Sequence, residues 1–169
     1  MRDELLSIIE KNSKIGLNEL AILLGADEAA VLSEIEKLER EGVICGYHTL
    51  IDWDKTSIEK VTGLIEVRVT PQRGQGFDSV AERIYNYPEV RATYLISGGY
   101  DLLVILEEKS LREISNFVTY KLSTLDSVLS TATHFILKKY KEHGTILAKK
   151  QEDEREIITP WQRNSQIKY

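Results

Sequence analysis

The feature that most constrains this fold is a pair of glycines followed closely by an unbroken apolar run. Gly98 and Gly99 can adopt backbone angles that other residues resist, and residues 102–106 read Leu-Leu-Val-Ile-Leu. Such a run is typical of a β-strand buried on both faces, because successive side chains point to opposite sides of a sheet. Helices of the same chain can cover one face. We expect a second copy of the chain to cover the other.

The segments around this run alternate between strand and helix patterns. Strands are predicted over residues 63–70 (ended by Pro71), 90–96, about 102–107 and 128–137, and helices over 77–84 and from the Ser110–Glu113 capping box onward. The order is βαββαβ, which is the ferredoxin-like unit. Both helices of such a unit cover the same face of an antiparallel sheet, so the bare face predicts dimerisation.

The first fifty residues carry three amphipathic helical patterns with short breaks between them. Gly25 ends the second pattern, Asp27 is a suitable N-cap for the third, and Gly42 ends the third. A short helix, a glycine-containing turn and a third helix form a helix-turn-helix. Three-helix cores of this size also occur in interaction modules, so this pattern alone leaves both DNA binding and protein interaction open.

Motifs in both halves of the chain are shared with one family. They are Asn12-x-Lys14, Glu19-Leu20-Ala21 and Gly42-Val43-Ile44-x-Gly46-Tyr47 in the first half, and Ser97-Gly98-Gly99-Tyr100-Asp101 and Thr131-x-Thr133 in the second. Leu125-Asp126-Ser127-Val128 stands where the family often has Leu-Pro-Gly-Val. With these motifs the chain resembles the Lrp/AsnC transcriptional regulators over roughly residues 3–140. The resemblance implies an α+β protein with an N-terminal winged-type helix-turn-helix domain and a C-terminal βαββαβ ferredoxin-like domain.

Together, the patterns and the resemblance predict four regions. They are a helix-turn-helix DNA-binding domain (1–50), a linking strand or hinge (51–61), a ferredoxin-like effector-binding and oligomerisation domain (62–140) and a C-terminal extension (141–169). The β-prone stretch from Val43 to Asp52 is expected to form the linking strand. The tail is charged and aperiodic apart from an apolar segment at 157–161. It is expected to be mobile or to contact a partner, with docking on a neighbouring subunit as an alternative.

The resemblance also implies a small-molecule pocket at the interface between dimers, which usually takes an amino acid. A free amino acid is a zwitterion, so its site needs N–H donors for the carboxylate and an acid for the ammonium group. The expected effector-binding residues are Gly98, Gly99, Tyr100 and Asp101 for the backbone end of the ligand, and Thr131 and Thr133 for its side chain. From the residues alone, the alternative is a hairpin turn next to ordinary strand formers.

The charge of the N-terminal region bears on DNA binding. Residues 1–50 hold five Lys or Arg against ten Asp or Glu, and the third helix carries six of those acids, including Glu34 where the family usually has an arginine. Phosphate contacts are expected from the five cations, which are Arg2, Lys11, Lys14, Lys37 and Arg40. We expect binding to double-stranded DNA that is weak per subunit and strengthened in a homodimer, tetramer or octamer. An amino-acid-sensing oligomer without DNA binding is the alternative.

The chain shows no catalytic, metal or cofactor motif. Cys45 is the one cysteine and is expected to be a small core residue. A sirohaem-decarboxylase-like enzyme is a third alternative, in which His48 or His134 would contact a tetrapyrrole. Strand alternation places His134 on the face opposite to Thr131 and Thr133. No apolar run approaches a membrane span and no signal peptide is visible, so we expect a cytoplasmic protein. Because no catalytic motif is found, we expect that it is not an enzyme.

Overall fold

The computed structural model describes residues 1–70 and 76–148. It contains two compact units, Met1–Ile51 and a second that begins at Asp52. The predicted role of Pro71 and the extension beyond Ala148, with its apolar segment at 157–161, lie outside the described residues. None of the described helices is long and apolar enough to cross a membrane.

The first unit is a three-helix helix-turn-helix, as predicted. Its helices are α1 (Arg2–Lys11), α2 (Leu17–Leu24) and α3 (Glu28–Arg40). Gly25 ends α2 in the left-handed region with φ of 59°, and the Asp27 carboxylate accepts a hydrogen bond from the Ala29 N–H at 3.0 Å. The core consists of residues that the helical spacing places inward, namely Leu5, Leu20, Ala21, Val31 and Leu38.

The linking segment differs from the prediction. No strand is present between residues 43 and 60, and the only regular element described there is a short 3₁₀ helix at Trp53–Lys55. A β-prone segment forms a strand only beside another strand, and the described part of this chain supplies none here. The prediction that Cys45 is a core residue is wrong, because the side chain is exposed and its Sγ donates to the Gly42 carbonyl oxygen at 3.1 Å.

The second unit has the predicted βαββαβ order. It comprises β1 (Val61–Val69), α4 (Asp78–Tyr85), β2 (Val90–Leu95), β3 (Leu102–Glu108), α5 (Leu111–Phe117), which continues as one π-helical turn (Val118–Leu122), and β4 (Val128–Phe135). The strands form one antiparallel sheet in the order β2-β3-β1-β4, which places β1 and β3 at its centre. The α+β fold prediction is therefore confirmed.

The two faces of this sheet are covered differently. Ile65 lies opposite Val104 and Val67 opposite Leu102, and these side chains are buried with residues of α4 and α5. Along β3, half-buried residues alternate with the buried ones, which places Leu103 and Ile105 on the other face. The chain's own helices thus cover one face. We call the face that carries Leu103 and Ile105 the open face.

The covered face is tightly packed where β1 crosses α5. Gly63 is buried, and a Cβ added to it would lie 3.0 Å from Cγ2 and 3.2 Å from Cδ1 of Ile114. Carbon–carbon contacts this short are rare, so a side chain at position 63 would require Ile114 to move. The glycine allows α5 to approach the sheet this closely.

The chain continues after β4 into a small hairpin, β5 (Lys141–Glu142) and β6 (Thr145–Ile146). Its two-residue turn places His143 at φ 45° and Gly144 at φ 79°, as expected of a type I′ hairpin turn. The extension that was predicted to be aperiodic from residue 141 is therefore partly ordered. The prediction missed the hairpin because its turn was not recognised in the sequence.

One carboxylate connects three separate segments at an edge of the second unit. Glu107 of β3 lies 3.7 Å from Lys60 Nζ, 3.7 Å from Arg91 Nε and 3.8 Å from Lys139 Nζ. Lys60 precedes β1, Arg91 lies on β2 and Lys139 follows β4. We call this group the Glu107 cluster.

Candidate functional site

Three of the six acids between Asp27 and Glu41, which would oppose DNA binding, lie within 4.0 Å of a cation of the first unit. Arg2 of α1 lies 2.6 Å from the Glu41 carboxylate and 3.8 Å from that of Glu34. The hydrogen bond between Arg2 and Glu41 lowers the pKa of Glu41 and raises that of Arg2. Glu34, where the family usually has arginine, is therefore held against α1 by a cation.

The remaining acids of α3 also have partners, with one exception. Asp27 caps the helix, the Glu39 carboxylate accepts from the Tyr47 hydroxyl at 2.8 Å, and Glu36 lies 3.9 Å from Arg40. Glu28 is the exception, because no partner is recorded for it among the described residues. Among these contacts, those of Arg2 bring a cation from α1 next to α3 and partly offset its negative charge toward phosphates.

The five predicted DNA-binding cations fall into two groups. Arg2, Lys37 and Arg40 each have a carboxylate within 4.0 Å, although Lys37 and Arg40 are at the limit of that distance. Lys11 and Lys14 have no ion-pair partner in the part of the chain that the structure describes, and both are exposed. The structure thus leaves Lys11 and Lys14 the most available for phosphates.

The turn that joins β2 to β3 is attached to the end of β1. The Ile96 N–H donates to the Asp101 carbonyl at 2.8 Å, and the Asp101 N–H donates to the Val67 carbonyl at 3.0 Å. Asp101 Oδ2 accepts from the Val69 N–H at 2.9 Å, next to a register shift between β1 and β4. The second oxygen of this carboxylate has no recorded partner among the described residues. We call residues 97–101 the glycine turn.

The glycines of this turn do not have the conformation that the sequence suggested. Neither Gly98 nor Gly99 has a positive φ, and a Cβ added to either would meet no atom within 4 Å. Backbone conformation and packing within the described chain therefore do not require glycine here. What remains is the other use of glycine, which is to let another group approach the backbone closely.

Arg68 belongs to this site although it was not predicted. It lies on β1, its Nε donates to the Gly99 carbonyl at 2.9 Å, and its side chain is exposed. No signal in the sequence distinguishes it from an ordinary polar residue of a half-exposed strand. Only the pairing of β1 with β3 in the structure shows that Arg68 lies next to the glycine turn.

The predicted site residues are not all brought together. Thr133 lies opposite Ile65 and Thr131 opposite Val67, so both threonines are on the covered face and on the β4 side of β1. The glycine turn lies on the β3 side, two strand spacings or about 10 Å away. Within one chain, the predicted residues of the turn (Gly98, Gly99, Tyr100 and Asp101) therefore lie apart from the two threonines.

The two histidines considered in the sequence, His48 and His134, are not part of the glycine turn. His134 lies opposite Leu64 on the open face, as predicted, and its Nε2 is 3.3 Å from Glu66 Oε1. His48 is exposed in the linking segment. No group of three or more His, Cys, Asp or Glu side chains that could hold a metal occurs in the ranges 1–70 and 76–148.

A surface depression of about 340 Å³ lies at another place on the second unit, between α5 with its π-helical turn and the ends of β2 and β3. Glu89 and Lys121 form an ion pair in it, and the hydrogen bond from Lys121 lowers the pKa of Glu89. None of the predicted site residues lines it.

The comparisons with known proteins agree with this architecture. Residues 62–146 match the model of the Lrp/AsnC ligand binding domain. The HTH-type transcriptional regulator YugG of Bacillus subtilis is 48% identical over 158 residues, which are 93% of this chain and 95% of that protein. A transcriptional regulator of Neisseria meningitidis in complex with L-Met superposes with a TM-score of 0.68 at 20% identity, over 83% of this chain and 90% of that one. E. coli AsnC gives a TM-score of 0.65 at 19% identity, over 83% and 93% of the two chains.

The two structural neighbours support the fold of this chain. The family model and the Bacillus relative show the family to which it belongs. The helix-turn-helix, the βαββαβ sheet and these matches agree with one another from residue 2 to residue 146. The chain belongs to the Lrp/AsnC family of transcriptional regulators.

Proposed function

We propose that this regulator binds an amino acid beside the glycine turn, at a contact between copies of the C-terminal domain, and that the bound amino acid changes its action on DNA. The observation that carries the proposal is the open space at Gly98 and Gly99. A turn that has no conformational need for two glycines leaves room for a ligand to reach its backbone.

The chemistry of the turn supports a zwitterionic ligand. Asp101 uses one carboxylate oxygen to hold Val69 and has the other available for an ammonium group. The exposed backbone of the turn adds polar groups without side chains in front of them. The solved complex of the Neisseria meningitidis regulator with L-Met supports the ligand class.

Calorimetric titration with the twenty amino acids tests this proposal. We expect at least one to bind, and we expect Gly98→Val to abolish that binding because its side chain fills the open space. Gly16→Val makes the same change at an exposed glycine of the first unit, where an added Cβ also meets no atom within 4 Å, and serves as the control, which should still bind. The absence of heat with all twenty, or unchanged binding by Gly98→Val, would contradict the proposal.

We also propose that the open face is covered by a second copy of the chain. Leu103 and Ile105 are large aliphatic residues at the centre of a face that no described helix covers. Burial of such a face against its own copy gives a two-fold contact, as in most dimers. Larger assemblies of two or four dimers would bring their glycine turns near other chains, where Thr131 and Thr133 of a neighbour could complete the site.

For DNA, we propose phosphate contacts from Lys11, Lys14, Lys37 and Arg40. The pairing of Arg2 with Glu41, and its position 3.8 Å from Glu34, partly offsets the negative charge of α3 and supports retained DNA binding over the alternative of a sensor without it. Arg2 then acts through α3, by holding its acids, rather than as a free phosphate ligand. No observation in the described ranges favours the sirohaem-decarboxylase-like alternative.

Titration of fluorescent DNA carrying the promoter of the protein's own gene tests the DNA contacts at several salt concentrations. Lys11→Gln and Lys14→Gln should each weaken binding and reduce the slope of log affinity against log salt by about one. Glu10→Gln, which removes an exposed negative charge next to Lys11, should not weaken it. Binding no tighter to the promoter than to unrelated DNA would contradict sequence-specific regulation by this chain.

A further inference from the structure

Two opposite charges lie beside the glycine turn without forming an ion pair with each other. Val67 pairs with Leu102, so the next residue of β1, Arg68, and the preceding residue of β3, Asp101, are neighbours across the two strands. Neither side chain takes part in any ion pair among the described residues, although each is held by the backbone. Arg68 Nε donates to the Gly99 carbonyl, and Asp101 Oδ2 accepts from the Val69 N–H.

These backbone contacts fix the groups but leave their charged ends available. Within the described ranges, Nε is the one nitrogen of the Arg68 guanidinium that has a hydrogen-bond partner, so the two terminal nitrogens remain as donors. One oxygen of Asp101 remains as an acceptor in the same way. A cation and an anion on separate backbone anchors, in the same turn region as the open space at Gly98 and Gly99, match the charge pattern of a free amino acid.

We infer that Arg68 is the residue that binds the α-carboxylate of the effector, while Asp101 binds its ammonium group. The guanidinium is planar and presents paired N–H donors in the geometry of a carboxylate, which a lysine or a neutral amide cannot reproduce. This assignment rests on the proposed function and adds the residue that selects free amino acids over derivatives that lack the carboxylate.

The experiment compares the twenty free L-amino acids with their α-carboxamides, which keep the ammonium group and lack the carboxylate. Binding is measured by calorimetry with the full-length wild type, Arg68→Gln, Arg68→Lys and Asp101→Asn. We expect the wild type to bind one or more free acids at least about tenfold more tightly than the matching amide.

Each variant has its own expected pattern. Arg68→Gln should lose about tenfold in affinity for the acid while its affinity for the amide is unchanged, so the preference disappears. Arg68→Lys should retain part of it, since the charge remains without the paired donors. Asp101→Asn should weaken acid and amide alike, because both carry the ammonium group, and the Asn oxygen can still accept from Val69.

Two results would overturn the assignment of Arg68, and only the second would also overturn the proposed function. If Arg68→Gln keeps the wild-type preference for acid over amide, Arg68 does not bind the carboxylate, and the proposed function stands. If the wild type binds none of the twenty acids, the proposed function fails together with the assignment. Unchanged unfolding temperatures of the unliganded variants would show that the exposed Arg68 side chain acts on the ligand rather than on the fold.

Discussion

At the scale of single residues, Asp101 has a structural task in addition to the one proposed for the ligand. Its carboxylate accepts from the N–H of Val69, a residue that is only 4% exposed. This hydrogen bond takes the place of the backbone hydrogen bond that would continue the pairing of β1 with β3 beyond Val67 and Leu102. A buried N–H that loses its acceptor carries the full cost of its own desolvation.

This predicts that Asp101→Ala destabilises the protein by about 1–3 kcal/mol, measured by urea denaturation. Asp101→Asn should cost less, because its side-chain oxygen can accept the same hydrogen bond. Equal losses in the two variants would show that the hydrogen bond to Val69 does not contribute as described.

The contact between Arg2 and Glu41 predicts a dependence of stability on pH. Because the hydrogen bond from Arg2 lowers the pKa of Glu41 in the folded chain, the contribution is present above the pKa of about 4.5 of an unperturbed glutamate, and it is lost as pH falls through the lowered value. We expect Arg2→Gln to lower the unfolding temperature at pH 7, and we expect the difference from wild type to shrink steadily as the pH falls below the pKa of an unperturbed glutamate.

Lys11→Gln is the matched control for Arg2→Gln, since it removes a cation from the same helix that has no carboxylate partner in the described residues. Thermal unfolding followed by circular dichroism at several pH values measures both variants. A difference between Arg2→Gln and wild type that persists unchanged at low pH would contradict the assigned role of the ion pair.

At this scale the sequence predicts residue types better than residue partners. The glycine turn and Asp101 were recognised, but the reason inferred for the glycines was wrong, because neither has a left-handed conformation. Arg68 and the contact of Arg2 with Glu41 were not foreseen. Each depends on groups 31 or 39 positions apart in the chain, and no local pattern reports such a distance.

At the scale of elements, local signals account for most of the fold. The Ser110 hydroxyl accepts from the Glu113 N–H at 3.3 Å, as its capping box predicts, and alternation along β3 appears directly in its burial. The hairpin of β5 and β6 was missed because His143 is an uncommon residue at positive φ. The linking strand was overpredicted because strand propensity does not provide a neighbour.

The crossing of β1 and α5 predicts the effect of a small substitution. Gly63→Ala places a methyl group 3.0 Å from Ile114 Cγ2, so we expect a loss of about 1–3 kcal/mol in the free energy of unfolding. In a double-mutant cycle, the same change should cost less in the background of Ile114→Ala, which removes the atoms that clash. An equal cost in both backgrounds would place the strain elsewhere.

At the scale of the whole molecule, association determines which surfaces the regulator presents. The open face has Leu103 opposite Glu66 across the central pair of strands. A lysine at position 103 would be tolerated in a single chain, since it would lie beside that carboxylate and in water. Covered by a second copy, the same lysine would be desolvated at considerable cost.

Leu103→Lys is therefore expected to raise the dimer dissociation constant by roughly 100-fold without unfolding the chain. Light scattering after size-exclusion chromatography at micromolar concentration measures the assembly. Leu111→Lys is the control, because Leu111 lies on α5 and is already 53% exposed. A monomeric wild type, or a Leu103→Lys variant that assembles normally, would contradict the dimer through this face.

The Glu107 cluster has a consequence for how the second unit opens. Three cations that share one carboxylate are close enough to repel one another once that charge is removed, as in Glu107→Gln, although Lys139 keeps its contact with Glu142. The segment that leads into the sheet, the strand at its border and the segment that leaves it should then all be loosened by this one change. Amide hydrogens in these three segments would exchange with solvent faster in that variant, although they lie far apart in the chain.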